Sequence, residues 1–281
     1  SSADPDPSGY GEGEVFLGST TLTTDGSGDA SFSLVLASPL NVNDDITATA
    51  TIHSGGTTEF SQSVPVAATL LVTNTNDSGA GSLREAIAIA PSGGVVLFAE
   101  SVDGGTLTLT GGQLVIDDKS LTIDASALAS GFTIDANGEL TDHRVLQIVT
   151  DPLGSAPPDV SLINLTFTGG KTPSSTSEMV GGGGGILSEG TLILTDCTVS
   201  GNATGNGAGL GGISGGGFGG DGGGIHHSGP LVLNNTAVSG NTTGSGRDFG
   251  GRGGGIYHSG GLFNINNLRL NNSTVSNNST G

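Results

Sequence analysis

Three similar segments follow one another toward the C-terminal end of the chain, and a repeat of this kind restricts the possible folds more than any other feature of the sequence. Each segment begins with three glycines and an isoleucine, continues with two leucines spaced i, i+2 and a valine, and closes at an asparagine. The segments occupy residues 183–202, 222–241 and 253–278. Their apolar pattern is retained although the chain between them varies in length, so the insertions are expected in loops.

The leucine positions predict β-strands that stack in register. Side chains at i and i+2 lie on the same face of a strand, and one such strand cannot bury its apolar face alone. Copies stacked in parallel about 4.8 Å apart bury that face, as in a parallel β-helix. The earlier segment 160–170 fits the same template, with Phe167 at the valine position. We therefore expect Leu194, Leu233 and Leu270 to form one interior file.

One column of the repeat is polar. It consists of Asn164, Asp196, Asn235 and Asn272. Short amide and carboxylate side chains tolerate a left-handed backbone and bond to nearby main chain, so this column is interpreted as a ladder of turns. A sugar or metal site on the column is the alternative.

Composition limits the classes of function. The formal net charge is −19, with 26 acidic against 7 basic residues, which argues against nucleic acid as a partner and favours attraction of divalent cations. A single cysteine, Cys197, excludes a disulfide framework. No apolar stretch is long enough for a membrane-spanning helix. A chain poor in Cys and Lys and rich in Gly, Ser, Thr and Asn is typical of exported bacterial surface proteins. Because it opens at Ser1 without a leader, we expect a processed product or part of a longer protein.

The N-terminal part has a different pattern from the repeats. Strict alternation predicts antiparallel strands at 32–36 and 46–52, with a third candidate at 60–66, separated by turns rich in Asp, Asn and Gly. We predict a small β-sandwich over residues 1–67, either complete or truncated, followed by a capped parallel β-helix over 68–281.

Two stretches resemble known families of bacterial surface proteins. The runs Ser8-Gly-Tyr-Gly-Glu-Gly-Glu14, Ile46-Thr-Ala-Thr-Ala-Thr51 and Gly56-Thr-Thr-Glu-Phe-Ser61 resemble the immunoglobulin-like β module that precedes β-helical regions in such proteins. The run Leu71-Val-Thr-Asn-Thr-Asn-Asp-Ser-Gly-Ala-Gly-Ser-Leu-Arg-Glu-Ala-Ile87 is similar to the N-terminal cap of repeat-containing surface β-helices, the Cys-Ser-Leu-Arg-Glu-Ala motif, with Gly81 at the cysteine position. The resemblance implies an adhesin-like or choice-of-anchor-like repeat protein with a right-handed helix.

The residues of the cap predict a short amphipathic helix on their own. Ser82 and Glu85 form a capping box, and Leu83, Ile87 and their neighbours place apolar side chains on one face. Such a helix can cover the open first coil of a solenoid. Short β segments without intervening helices follow, which excludes a doubly wound α/β sheet.

Several residues are candidates for chemistry. His227 and His258 occupy equivalent repeat positions, which predicts an imidazole stack on the outer face or, alternatively, a pair of metal ligands. Hard oxygen ligands for Ca²⁺ are offered by the turn residues Asp25, Asp29, Asp44 and Asp45. No other cofactor is predicted.

Acidic residues are dispersed rather than paired, which argues against glycoside cleavage. An Arg-Asp pair within the loop 247–252 is expected to pin that loop, and gripping an anionic sugar is its alternative role. Long insertions at 171–181, 203–220 and 242–252 are expected on one side of the solenoid, where repeat proteins tend to bind ligands.

These observations favour a non-enzymatic extracellular or cell-surface β-solenoid with a structural or adhesive role. The expected partners are further copies of the chain, end to end or side by side, or host and matrix glycans. We also expect the C-terminal coil either to be continued by further repeats or to dock on another subunit and form a fibre. The alternative function is a β-helix that binds or cleaves extracellular polysaccharide with its loop-bearing face.

Overall fold

A computed structural model describes residues 15–27, 30, 45–51, 56–58, 60–65, 69–138, 140–150, 156–174, 182–207, 219–246, 250–259 and 268–281. The chain divides into two compact units, residues 1–68 and residues 69–281. The predicted strand at 32–36 lies outside the described residues, as do the parts 175–181, 208–218 and 247–249 of the three long insertions.

The second unit is a parallel β-helix, as the repeat predicts, with three sheets along its length. In spatial order the first sheet comprises β3 (Thr69–Val72), β4 (Gly94–Phe98), β7 (Leu121–Asp124), β10 (Asp159–Ile163), β13 (Thr191–Thr195), β16 (Leu231–Asn234) and β19 (Leu268–Asn271). The second comprises β5 (Thr106–Thr108), β8 (Phe132–Asp135), β11 (Leu165–Thr168), β14 (Thr198–Ser200), β17 (Ala237–Ser239) and β20 (Thr274–Ser276). The third comprises β6 (Leu114–Asp117), β9 (Leu146–Val149), β12 (Ile186–Glu189), β15 (Ile225–Ser228) and β18 (Ile256–His258).

The strands stack in the register that the apolar pattern predicts. Leu194 pairs with Leu233, and Leu233 pairs with Leu270 in the next coil. The side chains of Leu194 and Leu233 are completely buried, whereas Leu270 is 43% exposed. The expected interior file is therefore confirmed, and its last member lies in the most exposed coil. The right-handed winding stays a prediction.

The predicted helix, α1 (Leu83–Ile89), is confirmed at the N-terminal end of the β-helix. The Glu85 backbone N–H donates to Ser82 Oγ at 3.2 Å, and the Gly81 N–H donates to Glu85 Oε2 at 2.9 Å. Its buried residues, including Leu83 and Ile87, belong to the same core as the strands. Lys119 Nζ donates to the Ile87 carbonyl oxygen at 2.6 Å, so it neutralises the negative end of the helix.

An ion pair between Arg84 and Asp77 fixes the segment that leads into α1. Arg84 Nη2 lies 2.6 Å from Asp77 Oδ1 and also donates to the Gly112 carbonyl oxygen at 2.6 Å. Asp77 Oδ2 accepts from the backbone N–H groups of Thr110 and Gly111. Burial raises the pKa of Asp77, but the Arg84 guanidinium and these amides together lower it by more, so the pKa is below its ordinary value. Arg84 thus ties the cap to the next coil of the solenoid.

In the first unit, regular strand is shorter than alternation predicts. The described residues contain β1 (Asp45–Ile46) and β2 (Val64–Pro65), which pair antiparallel. Beyond them, Ser61 Oγ accepts from the Ala48 N–H and Thr58 Oγ1 accepts from the Ala50 N–H. Hydroxyl groups therefore replace part of the main-chain ladder, which is why the strand predicted at 46–52 is not regular. The immunoglobulin-like character of this unit stays a prediction.

Candidate functional site

The polar column lies at the corner between the first and second sheets. Asn164, Asp196, Asn235 and Asn272 all have a positive φ, between 48° and 55°. Asn164 Nδ2 donates to the carbonyl oxygens of Ala125 and Leu128 in the preceding coil, and Asn235 Nδ2 donates to Asp196 Oδ1. These side chains stabilise a left-handed turn and link neighbouring coils, as residues of this type do in turns.

A second asparagine column was not recognised as a ladder from the sequence, and its first two members are buried. It consists of Asn202, Asn241 and Asn278, which close the three repeats. Asn202 Nδ2 donates to Asn241 Oδ1 at 3.0 Å, and Asn241 Nδ2 donates to Asn278 Oδ1 at 2.9 Å. Asn241 Nδ2 also donates to the Val199 carbonyl oxygen at 2.9 Å. The sequence signal for this ladder was the asparagine at the end of every repeat.

The glycine triplets make room for this buried ladder. A Cβ atom on Gly224 would lie 2.9 Å from Asn241 Nδ2 and 2.7 Å from the Gly255 carbonyl oxygen. Both neighbours are hydrogen-bonded to adjacent coils, so moving either one would break bonds between coils. The triplets therefore serve close packing between coils.

The histidine column faces the interior, not the outer face that we expected. His227 pairs in register with His258, and the two rings are tilted by 44° with their centroids 5.7 Å apart. His227 is completely buried, and its Nε2 contacts the Pro230 carbonyl oxygen at 3.1 Å. Alternation could have revealed this orientation, because the residue two positions earlier is the buried Ile225.

Burial determines the protonation of His227. Desolvation lowers the pKa of His227 to about 4, with the charge of His258 acting in the same direction. The imidazole of His227 is thus neutral at neutral pH. Its Nδ1 is buried without a hydrogen-bond partner.

The outer face of the third sheet carries a different group of side chains. The His226 and Tyr257 rings meet edge to face with centroids 5.0 Å apart, and Arg252 Cζ lies 4.6 Å above the Tyr257 ring. Arg252 Nη2 binds Asp221 Oδ2 at 2.6 Å, and Asp221 is only 2% exposed. The pair that pins this loop is therefore Arg252 with Asp221, which directly follows the preceding insertion. Arg247 and Asp248 lie outside the described residues.

A buried arginine next to this face was not singled out from the sequence. Arg144 is 7% exposed, and its Nη2 and Nε donate to the carbonyl oxygens of Gly182 and Gly183. Its Nη1 donates to Gln147 Oε1 at 3.1 Å. Burial lowers the pKa of Arg144 to about 10, so the guanidinium remains charged at neutral pH. The carbonyl oxygens stabilise this charge, and Arg144 in turn holds the glycine segment before β12 in place.

The Ca²⁺ candidates are only partly described. Asp25 Oδ1 accepts the Ser27 N–H at 2.8 Å, which is a local turn, and Asp45 begins β1. Asp29 and Asp44 lie outside the described residues. In the parts of the chain that the structure describes, no three His, Cys, Asp or Glu side chains are grouped closely enough to hold a metal ion.

Asp196 and Asp221 lie at different corners of the β-helix. Asp196 lies between the first and second sheets, and Asp221 precedes the third sheet. The Asp221 carboxylate is already bonded to Arg252.

Cys197, which follows Asp196, is also unsuited to catalysis. Its thiol is buried, and desolvation raises its pKa to about 11. A thiol with this pKa is not a nucleophile at neutral pH.

A polar groove lies on the side where the insertions leave the solenoid. Its cavity is about 480 Å³ and is lined by residues of three successive coils, among them Asp142, Lys171, Ser174 and Asn206. This is the size range of small-ligand sites.

Searches against protein-family models, curated proteins and solved structures found no significant match. Among the described residues, no helix combines the length and apolarity needed to cross a membrane.

Proposed function

We propose that the chain is a non-enzymatic extracellular element, a solenoid scaffold of a bacterial cell surface or matrix with a structural or adhesive role. The observation that carries this proposal is the continuity of bonding from coil to coil. Leu194 and Leu233 stack in a buried file, and Asn202 and Asn241 are bonded in a buried ladder. Most of the buried polar groups serve the architecture, as expected of a scaffold.

Composition supports placement outside the cell. The chain has one cysteine, a strongly negative net charge and few lysines. This composition favours solubility and discourages association with other anionic surfaces. Antibodies raised against the purified chain should label intact cells of the source organism. Labelling that requires permeabilised cells would contradict the surface assignment.

The passive role is tested by incubating the purified chain with pectate, xylan, cellulose and alginate. We expect no new reducing ends and no unsaturated sugar products above the buffer control, because the acids described here are dispersed or engaged. Turnover that Asp142→Asn abolishes would instead establish the alternative function, a β-helix that cleaves polysaccharide. The polar groove is the observation that favours that alternative, or one of sugar binding alone.

Self-association is the proposed mode of assembly. The coil of β19 and β20 exposes Leu268, Leu270 and Val275 by 41–44%, whereas the equivalent residues of the preceding coil are buried. A strand edge next to an exposed apolar interior favours pairing with a second copy. Sedimentation velocity over a range of concentrations should detect a larger species, and Leu270→Lys should remove it. A concentration-independent monomer would contradict this mode of assembly.

A further inference from the structure

The polar groove contains a short fourth ladder that fixes its floor. Single parallel bridges join Lys171 to Ala203 and Ala203 to Thr242. The neighbouring Thr172 N–H donates to the Ala203 carbonyl oxygen at 3.1 Å, and the Thr204 N–H donates to the Thr242 carbonyl oxygen at 3.0 Å. The groove is thus formed by backbone that is held from coil to coil, and its shape is set before any ligand binds.

Buried hydroxyl groups make this floor rigid. Thr172 and Thr204 are 2% and 5% exposed. Thr172 Oγ1 accepts the Gly205 N–H at 3.0 Å, and Thr204 Oγ1 accepts the Gly244 N–H at 2.9 Å. These side chains bind the protein itself, so recognition depends on the exposed groups around them.

Four exposed side chains border the floor: Asp142, Lys171, Ser174 and Asn206. The Asp142 carboxylate, the Lys171 ammonium and the Ser174 hydroxyl have no hydrogen bond or ion pair with any residue that the structure describes. Asn206 uses its Oδ1 to accept the Ser245 N–H at 2.8 Å, and this fixes the direction of its Nδ2 donor. Lys171 is notable in a chain with net charge −19, since the other lysine, Lys119, is bound to the end of α1.

We propose that this groove is a binding site for a neutral oligosaccharide. Every sugar hydroxyl can donate and accept a hydrogen bond, and the groove has acceptor and donor side chains next to each other. The Asp142 carboxylate accepts from hydroxyls, the Lys171 ammonium and Asn206 Nδ2 donate to them, and the Ser174 hydroxyl does either. The lining spans three coils, about 10 Å along the solenoid at strand spacing, which suits a chain of sugars rather than a single ion. This assignment rests on the proposed extracellular role, and the ligand class that it adds is a neutral glycan.

Binding is expected to be weak and to depend on the charged groups. No aromatic ring is among the described residues that line the groove, so there is no stacking platform for a sugar face. Loss of one hydrogen bond to a charged group weakens binding by about tenfold or more. Asp142→Asn and Lys171→Met should each have this effect without affecting the buried floor.

The test uses the full chain, four neutral probes (xylotriose, cellotriose, maltotriose and mannotriose) and one acidic probe, trigalacturonate. Saturation-transfer NMR should detect at least one of the neutral probes, and titration should shift the backbone amide signals of Thr172, Gly205 and Asn206. Asp159→Asn is the matched control, because it removes an exposed carboxylate from the outer face of β10. The control should bind as the unmodified chain does.

Three outcomes would overturn the site: no probe binds, Asp142→Asn binds as well as Asp159→Asn, or only an acidic probe such as trigalacturonate binds. Unfolding midpoints measured on the same samples show whether each variant is folded. Failure of the groove is distinguishable from failure of the scaffold proposal, because that proposal is tested by turnover and by cell labelling.

Discussion

Two kinds of residue set the position of one coil on the next, and they act differently. The leucine file supplies apolar burial, which is not directional. The buried asparagines supply hydrogen bonds, which require both distance and angle. Asn241 illustrates this, because its amide donates to Val199, Ser239 and Asn278 while its Oδ1 accepts from Asn202. The asparagine ladder therefore specifies register, and the leucines supply much of the stability.

Replacing Asn241 with alanine should destabilise the protein strongly. The change leaves buried partners unsatisfied, including the Val199 carbonyl oxygen and the Asn202 amide, at a cost of about 3 kcal/mol or more. The matched control is Asn235→Ala in the exposed column, where the left-handed backbone costs about 1 kcal/mol. Unfolding by guanidinium measures both changes. Equal losses in the two variants would show that the buried ladder has no special role.

Acid should weaken the fold through His227. Its pKa is about 4 in the folded chain, against an ordinary value near 6.5, so the unfolded chain binds the proton more readily. Stability is fully present above pH 6.5 and is lost as the pH falls from 6.5 toward 4, by on the order of 3 kcal/mol.

His227→Ser is the appropriate variant, because Ser188 is the buried residue at this position in the preceding coil. The melting temperature should fall less between pH 7 and pH 5 in the variant than in the unmodified chain, even though the variant is less stable at pH 7. An unchanged pH dependence would mean that His227 is not the group responsible.

Among the elements, α1 differs from the strands in how it is held in place. Its central residues pack in the apolar core, and polar contacts hold its two ends. Leu83 and Ile87 enter the core, while Arg84 and Lys119 bind carbonyl oxygens at either end. The helix is too short to persist alone in water. It forms because the first coil offers an apolar surface and fixed hydrogen-bond partners.

Arg84→Ala should loosen the cap without unfolding the solenoid. The variant removes bonds to Asp77, Gly112 and Gln113. Amide hydrogen exchange should accelerate in α1 and β3 by about tenfold or more, and remain unchanged in β13, because these bonds lie in the cap alone. Arg269→Ala removes an exposed arginine from β19 and serves as the control. Uniform acceleration across both elements would contradict a local role.

For the whole molecule, stability is expected to vary along the solenoid, because each coil contacts only its neighbours. Leu233 is completely buried and Leu270 is 43% exposed, although they occupy the same file. Both residues are leucines, so any difference in the stability lost on mutation reflects their position along the stack.

At concentrations below those at which the chain associates, Leu233→Ala should cost about 3–4 kcal/mol, and Leu270→Ala clearly less, because an exposed site leaves no cavity and loses less apolar burial. Urea unfolding of the two variants provides the comparison. Amide exchange should likewise be fastest in β19 and β20 and slowest in β13. A cost at Leu270 equal to that at Leu233 would indicate that another surface covers the last coil in solution.

The sequence by itself determined the repeat strands of the β-helix, their parallel stacking, the leucine file and the capping helix. These features depend on local periodicity and on capping chemistry, which short stretches such as 82–90 contain in full. Tertiary structure alone decided which side chains meet across coils: the pairing of Asp221 with Arg252, the enclosure of Arg144 and the polar groove at Asp142. Unequal insertions separate those residues in sequence, and the partner of a charged side chain depends on how each insertion folds back, a three-dimensional property that no local pattern encodes.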